Sequence, residues 1–196
     1  VASPNAARDA LHAQIRASHP HLRDALVADA RVTLFHRGEG REFRSRLDVA
    51  VQILRLAWCS DAFLAQALYR VKARTQALGI PIVPRVAHRL AMALAQISIG
   101  DPVVVEPGVY IIHGQVVIDG LVRIGTGAVI APFVTIGLRA GNIKGPTLQP
   151  GVNVGTGAKI IGPVRIGAGA QIGANAVVLG DVEPGRTVVG APARPV

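Results

Sequence analysis

From Ile118 onward the chain repeats every six residues, and this period limits its possible folds more than any other feature. Stepping in sixes gives Ile118, Ile124, Ile130, Ile136, Asn142, Leu148, Val154, Ile160, Ile166, Ile172 and Val178, aliphatic in ten of eleven slots. Four residues after each slot come Val122, Ala128, Val134, Ala140, Pro146, Val152, Ala158, Val164, Ala170, Ala176 and Val182, of which ten are Val or Ala. Helices repeat at 3.6 residues and half-buried strands at two, so neither explains the pattern. A short strand that turns one aliphatic side chain inward, followed by a tight turn with room only for a small residue, does explain it. Three such units close a triangular coil of about 18 residues, and stacked coils lay aliphatic on aliphatic. The back half is therefore expected to be a parallel β-helix of hexapeptide repeats with about five coils. Ile99, Val105 and Ile111 keep the period but lie one residue out of phase, so one extra residue sits between Ile111 and Ile118. The stretch 138–147, with Arg139, Gly141, Asn142, Lys144, Gly145 and Pro146, has the composition of a loop thrown out from the prism.

The front half has a different grammar. Only Gly38, Gly40 and Gly79 of the 22 glycines precede Ser98, and nine of the 13 prolines follow it. Ser3 with Pro4 suits the start of a first helix. A second helix is expected from about His21 to His36, ending in the turn 37–40. In a third, Leu47, Val51, Leu54 and Trp58 form one apolar stripe, read as its core face. Ser60 caps a fourth, with Leu64, Leu68 and Val71 inward and Gly79 as its stop. A last helix after Pro81 and Pro84 places Val86, Leu90, Leu94 and Ile97 on one face. The expectation is an α+β chain: a helical domain over 1–97, then the β-helix over 98–196 with its loop at 138–147.

Residues 1–98 hold 14 Lys/Arg against 7 Asp/Glu, and residues 99–196 hold 7 against 5, which divides the net charge of +9 unevenly. The arginines are dispersed along helical patterns without interleaved aromatics, so no nucleic-acid partner is expected. The longest uncharged stretches, Ile124–Leu138 and Ile166–Gly180, are broken by Gly or Pro and are shorter than the roughly 20 residues of a membrane span. No membrane partner is expected, and with no secretory pattern visible the cytoplasm is the expected compartment. One cysteine excludes a disulfide framework. Cys59, beside Trp58 in an apolar helix, reads as a buried thiol rather than a nucleophile. Zinc catalysis of the β-helix carbonic anhydrase type needs three histidines around the metal, and the repeat half has one, so no metal is expected.

That one is His113, in "YIIHGQVV" beside the phase slip, where a side chain is pushed out of the regular wall. The other histidines (His12, His19, His21, His36 and His88) lie in the helical half. Imidazole is the side chain suited to take a proton near neutral pH, so His113 reads as a general base, with a structural corner histidine as the alternative.

Hexapeptide repeats after a helical domain, the break at 138–147 and the ending "VVGAPARPV" resemble the serine acetyltransferase family and its sugar and xenobiotic acetyltransferase relatives. The resemblance runs from about Leu47 to the C-terminus and is strongest over "GPTLQPGVNVGTGAKIIGPVRIGAGAQIGANAVVLGDV". It implies a left-handed β-helix, assembled as a homotrimer or a dimer of trimers, that transfers acetyl from acetyl-CoA to a small-molecule acceptor. His113 occupies the family's general-base slot. Gly137, Leu138, Thr156 and Ala174 match positions where small residues let the pantetheine arm approach the backbone, and Lys159, Arg186 and Arg194 are candidate partners for its phosphates. Arg139, Asn142 and Lys144 are candidate acceptor contacts. The alternative is that the small residues serve turn geometry and the cations are solvated.

The chain departs from the family in several places. Ile112 stands where an Asp precedes the histidine, Ser98 where a second Asp orients it, Gly145 where a second histidine ends the loop, and Lys144 where an arginine holds the substrate carboxylate. The resemblance thus implies O-acetyl transfer to a serine-like amino acid or related metabolite, with a sugar or amino-sugar acceptor, or a degenerate scaffold, as alternatives. A longer acyl-CoA or an acyl carrier protein also stays open as donor. Serine acetyltransferases dock on their sulfhydrylase through a C-terminal isoleucine. Here Pro195–Val196 stand at that end, so the sulfhydrylase is not expected as a partner.

Overall fold

The computed structural model of the chain describes residue 11 and residues 13–40 and 42–195. The helix start expected at Ser3 and Pro4 lies outside them. Among the described residues, 13–18 are helical and are followed by α1 (Leu22–His36), α2 (Arg46–Cys59), α3 (Asp61–Ala77) and α4 (Val83–Ala95). Then come β1 (Ile97–Ile99), β2 (Val104–Val105), β3 (Tyr110–Ile111), β4 (Val116–Ile118), β5 (Leu121–Ile124), β6 (Val129–Ile130), β7 (Thr135–Gly137), β8 (Lys144–Leu148), β9 (Asn153–Val154), β10 (Lys159–Ile161), β11 (Arg165–Ile166), β12 (Gln171–Ile172), β13 (Val177–Val178), β14 (Thr187–Val189) and β15 (Arg194–Pro195).

These strands build three walls. Sheet A stacks β1-β4-β7-β10-β13, sheet B stacks β2-β5-β8-β11, and sheet C stacks β3-β6-β9-β12-β14-β15. All pairings are parallel except β14 with β15. The chain runs A to B to C and back to A, a left-handed parallel β-helix of about five coils. Every aliphatic slot of the hexad is buried, and the Val and Ala residues four positions on are buried beside them except Ala140. Corners must be small because coils touch there: a Cβ on Gly125 would lie 2.7 Å from the Pro150 nitrogen.

The strand register explains both irregularities in the repeat. Ile111 stands opposite Ile130, 19 positions on, whereas Ile118 stands opposite Ile136, 18 on, so the first coil carries the extra residue. Ile136 stands opposite Ile160, 24 on, so the next coil extrudes one whole hexad and the phase resumes unchanged. The excursion is shorter than the expected loop, because Lys144–Leu148 are already strand, with Lys144 opposite Leu121. Residues 138–143 leave the wall.

In the helical half, the helices form where expected, except that the last ends at Ala95 and Ile97 belongs to β1, but they turn other faces inward. Ser60 does cap α3, its Oγ accepting the Phe63 N–H at 3.3 Å, and Gly79 ends that helix with φ +72°. The supposed core stripe of α2 is exposed, however: Leu47 by 74%, Leu54 by 70% and Trp58 by 92%. Gln52 and Leu56 are buried instead, the latter in a small cluster with Ala30, Leu34 and Phe63. Cys59 is exposed as well, contrary to the expected buried thiol. Val86, Leu90 and Leu94 of α4 also face outward, while Pro84, Ala87, Ala91 and Ala95 are buried, because small residues let the helix lie close to its neighbours. An apolar stripe shows that a face is suited to burial, without showing what within the chain will cover it.

Helix α3 buries Gln66, Tyr69, Arg70 and Lys72 beside Phe63 and its alanines, while Leu64, Leu68 and Val71 are half-buried, Leu68 packed against the core. The first coil has no preceding coil to satisfy its backbone, and buried carbonyls need donors. Gln66 Nε2 donates to Val109 O at 2.9 Å, and Tyr69 OH donates to Val103 O at 2.7 Å while accepting the Val105 N–H at 3.2 Å. Arg70 donates to Val105 O, to Glu106 O at 2.8 Å and to Asp29, whose Oδ1 also accepts the Gly108 N–H at 2.9 Å. Lys72 Nζ donates to Ile99 O and to Asp101 Oδ1 at 3.0 Å. Burial pushes the Tyr69 phenol up to about 12 and the Lys72 ammonium down. Helix α3 thus seals the open end of the prism, and one hydrophobic core runs from Ala65, Tyr69, Ala91 and Ala95 into the coils.

Candidate active site

His113 lies between β3 and β4, at the corner joining sheet C to sheet A in the first coil. The backbone on either side is fixed to the next coil: Ile112 N–H donates to Ile130 O and Val117 N–H to Val134 O, each at 3.0 Å. The bend between them holds the extra residue and is exposed at His113. No hydrogen bond engages the imidazole among the described residues, Ser98 and Ile112 included.

The same corner forms a column down the prism. Pro132 and Phe133 follow in the second coil, Thr156 in the third and Ala174 in the fourth. Gly157 N–H donates to Pro132 O at 2.9 Å and Asn175 N–H to Thr156 O at 2.8 Å. Thr156 and Ala174 are exposed, and the column is tight: a Cβ on Gly155 would lie 2.7 Å from the Ala174 nitrogen. Lys159, on β10 of sheet A, turns its Nζ onto Phe133 O at 2.6 Å. The structure therefore lines up Thr156, Ala174 and the Lys159 ammonium along the corner that His113 heads.

The other predicted residues lie elsewhere. Gly137 ends β7 at the opposite edge of sheet A, where the excursion leaves. Asn142 N–H donates to Arg139 O at 3.0 Å and Asn142 Oδ1 accepts the Lys144 N–H at 2.9 Å, a turn that closes the excursion on itself. Leu138 folds down over Gly120, where a Cβ would lie 2.0 Å from its Cδ2. Arg139, Asn142 and Lys144 are exposed. A three-residue strand spans about 10 Å, so sheet A separates this group from His113 within one chain. Arg186 and Arg194 share a recess of about 840 Å³ at the last coil with Asp181 and Glu183, and neither Thr156 nor Ala174 lines it.

Arg165 was not singled out in the sequence. It stands on sheet B opposite Thr147, and with Lys144, Gly145, Thr147 and Asp181 it lines a cleft of about 400 Å³ beneath the excursion. Its backbone N–H donates to Asp181 Oδ1 at 2.8 Å. The available signal was the coil length, since Arg165 is 18 positions after Thr147. Among the described residues no group of three or more His, Cys, Asp or Glu is arranged to hold a metal ion, and no helix is long and apolar enough to cross a membrane.

No protein-family model and no curated protein matches the sequence. Solved structures do match. Soybean serine acetyltransferase, as apoenzyme, is 32% identical with a TM-score of 0.73, covering 92% of this chain and 71% of its own. The soybean enzyme complexed with serine gives 31%, 0.73, 92% and 71%. The Neisseria gonorrhoeae serine acetyltransferase is 26% identical with a TM-score of 0.74, over 89% of this chain and 66% of its own. A serine acetyltransferase in complex with CoA, 24% identical with a TM-score of 0.73 over 93% of this chain and 72% of its own, shares the fold. The chain thus spans about two thirds of the length of such proteins, 66% for the gonococcal one.

Proposed function

The chain belongs to the serine acetyltransferase family of acyltransferases, and on that premise we propose that it moves an acetyl group from acetyl-CoA to the hydroxyl of a small acceptor, a serine-like amino acid or related metabolite, with His113 as general base. The observation that carries this reading is the exposed His113 on the irregular corner that heads the column of Thr156 and Ala174.

In the proposed step, neutral His113 takes the acceptor's hydroxyl proton as the oxygen attacks the thioester carbonyl, forming the C–O bond. Collapse of the tetrahedral adduct breaks the C–S bond, and the departing thiolate recovers the proton from the imidazolium. Thr156 and Ala174 keep the corner low enough for the pantetheine arm of the donor, with Gly137 and Leu138 as its contacts at the other edge. Lys159, once released from Phe133 O, and Arg186 and Arg194 are the proposed partners of its phosphates. Lys144, flanked by Arg139 and Asn142, is the proposed anchor for an acceptor carboxylate. Because the excursion and His113 occupy opposite edges of sheet A, the reading includes a homotrimer, or a dimer of trimers, in which the excursion of one copy meets His113 of the next.

Free-thiol release from acetyl-CoA tests this, with L-serine, homoserine and a panel of amino sugars as acceptors. His113→Ala should lower turnover by about 10²–10⁴ while CoA binding persists. Turnover with an amino sugar alone would replace the acceptor. CoA binding without thiol release from any acceptor would refute transfer from acetyl-CoA and favour a carrier-protein donor or a non-catalytic scaffold.

A further inference from the structure

The extra residue of the first coil has no role in building the prism, since the later coils close without it. It lies in the bend 112–115, and what backs that bend is the carboxyl end of a helix. Ala95 is the last residue of α4 and is buried in the shared core. Gln96 caps the helix in the left-handed conformation, φ 55°, and its N–H is spent on Ala91 O and Met92 O. The Ala95 carbonyl, among the last four that a helix leaves without an internal partner, accepts the Gln115 N–H at 3.3 Å. A Cβ on Gly114 would lie 2.0 Å from this oxygen and 3.1 Å from its carbon. Gln115 is itself left-handed, φ 64°, a conformation uncommon outside glycine, and Val116 then enters β4 directly opposite Ile97. The segments 95–97 and 114–116 are therefore locked side by side, one residue beyond His113.

From this geometry we infer that the end of helix α4 positions His113: the Ala95 carbonyl is the stop against which the His113 bend is set, and Gly114 and Gln115 are positioning residues. The inference rests on the role of His113 in the proposed transfer. With no side chain holding the imidazole among the described residues, its place is set by the backbone, which the next coil holds at Ile112 and Val117 and the end of α4 backs at Gly114 and Gln115. The helical half, anchored on the first coil through Gln66, Tyr69, Arg70 and Lys72, thereby contributes to base placement as well as to sealing the prism.

Three substitutions test it in the full chain. Gly114→Ala brings a methyl group against backbone that must yield by about 1 Å or more, and displacement of that size costs on the order of 100-fold in rate. Gln115→Val disfavours the left-handed conformation, whereas Gln115→Gly adopts it freely and removes the side chain. The expected result is a fall in kcat for Gly114→Ala and Gln115→Val, with KM for acetyl-CoA and the Kd of CoA unchanged, and wild-type kcat for Gln115→Gly. Unchanged kcat in folded Gly114→Ala, or loss in Gln115→Gly equal to that in Gln115→Val, would overturn the inference. So would a joint loss of kcat, CoA affinity and Tm across the series, which marks a merely structural bend. Absence of His113-dependent turnover in the wild type would refute the proposed function itself, and the inference with it.

Discussion

Replacing Arg70 by methionine is the sharpest test of how the prism is sealed. Arg70 and Asp29 are 3% and 0% exposed, and the guanidinium donates to both Asp29 oxygens, at 2.9 and 3.2 Å, and to the Val105 and Glu106 carbonyls. The Arg70→Met side chain fills much of the same space but donates nothing. It leaves a buried carboxylate with only Gly108 N–H and Gln66 as partners, and two carbonyls of the first coil without these donors. Removing one partner of a buried pair costs about 3–5 kcal/mol, and orphaned carbonyls add to that less than additively. We expect about 4 kcal/mol, read as a drop in Tm of roughly 8–16 °C for a chain of this size. Urea denaturation followed by circular dichroism gives the free energy directly. Arg123→Ala, which breaks the half-exposed pair with Glu106, serves as control and should cost about 0–1 kcal/mol. Adding Asp29→Asn to Arg70→Met removes the stranded charge but keeps an acceptor for Gly108, and should recover about 2 kcal/mol relative to additivity. A loss below about 1 kcal/mol for Arg70→Met, or simple additivity in the double variant, would refute the sealing role.

Two further outcomes follow from the packing. His19 is lowered to about 4, first by burial and then by the Arg70 charge, so between pH 6.5 and about 4 the unfolded chain binds a proton that the folded chain does not. Stability should therefore fall as pH drops through that window, and His19→Gln should flatten the slope; parallel slopes for both proteins would sink the assignment. Gly125→Ala would drive a methyl into the backbone of Gln149 and Pro150 at 2.7–2.8 Å, costing about 1–3 kcal/mol, and an unchanged Tm would show that the corner has slack.

How much of the fold was legible depends on where each period comes from. In the β-helix the period arises from contacts of each coil with identical neighbours, so the pattern in the chain is the packing. The phase slip located the longer first coil, and Asn142 in an aliphatic slot marked the extruded hexad. In the helices the period arises from one face being apolar, and α2 and α4 each have apolar residues on more than one side. Leu47, Leu54 and Trp58 looked like core because they are spaced like core, yet α1 and α3 take the side bearing Gln52 and Leu56. The burial of Gln66, Arg70 and Lys72 had no signal in the sequence, because nothing local shows that an open coil end lies above them.

The candidate site divides the same way. His113 stood out in the sequence as the one histidine of the repeat half beside its one phase slip, whereas Thr156 and Ala174 entered through the family resemblance and the coil stacking places them at the same corner. The linear pattern could not show that Gln115 would be left-handed, that Ala95 would back the bend, or that sheet A would separate the excursion from His113. The sequence by itself determined the prism, because a six-residue repeat satisfies its own contacts locally, coil upon coil. Only the tertiary structure decided which helix faces are buried, what caps the open end and what the His113 bend rests on, because those depend on surfaces brought together from distant parts of the chain.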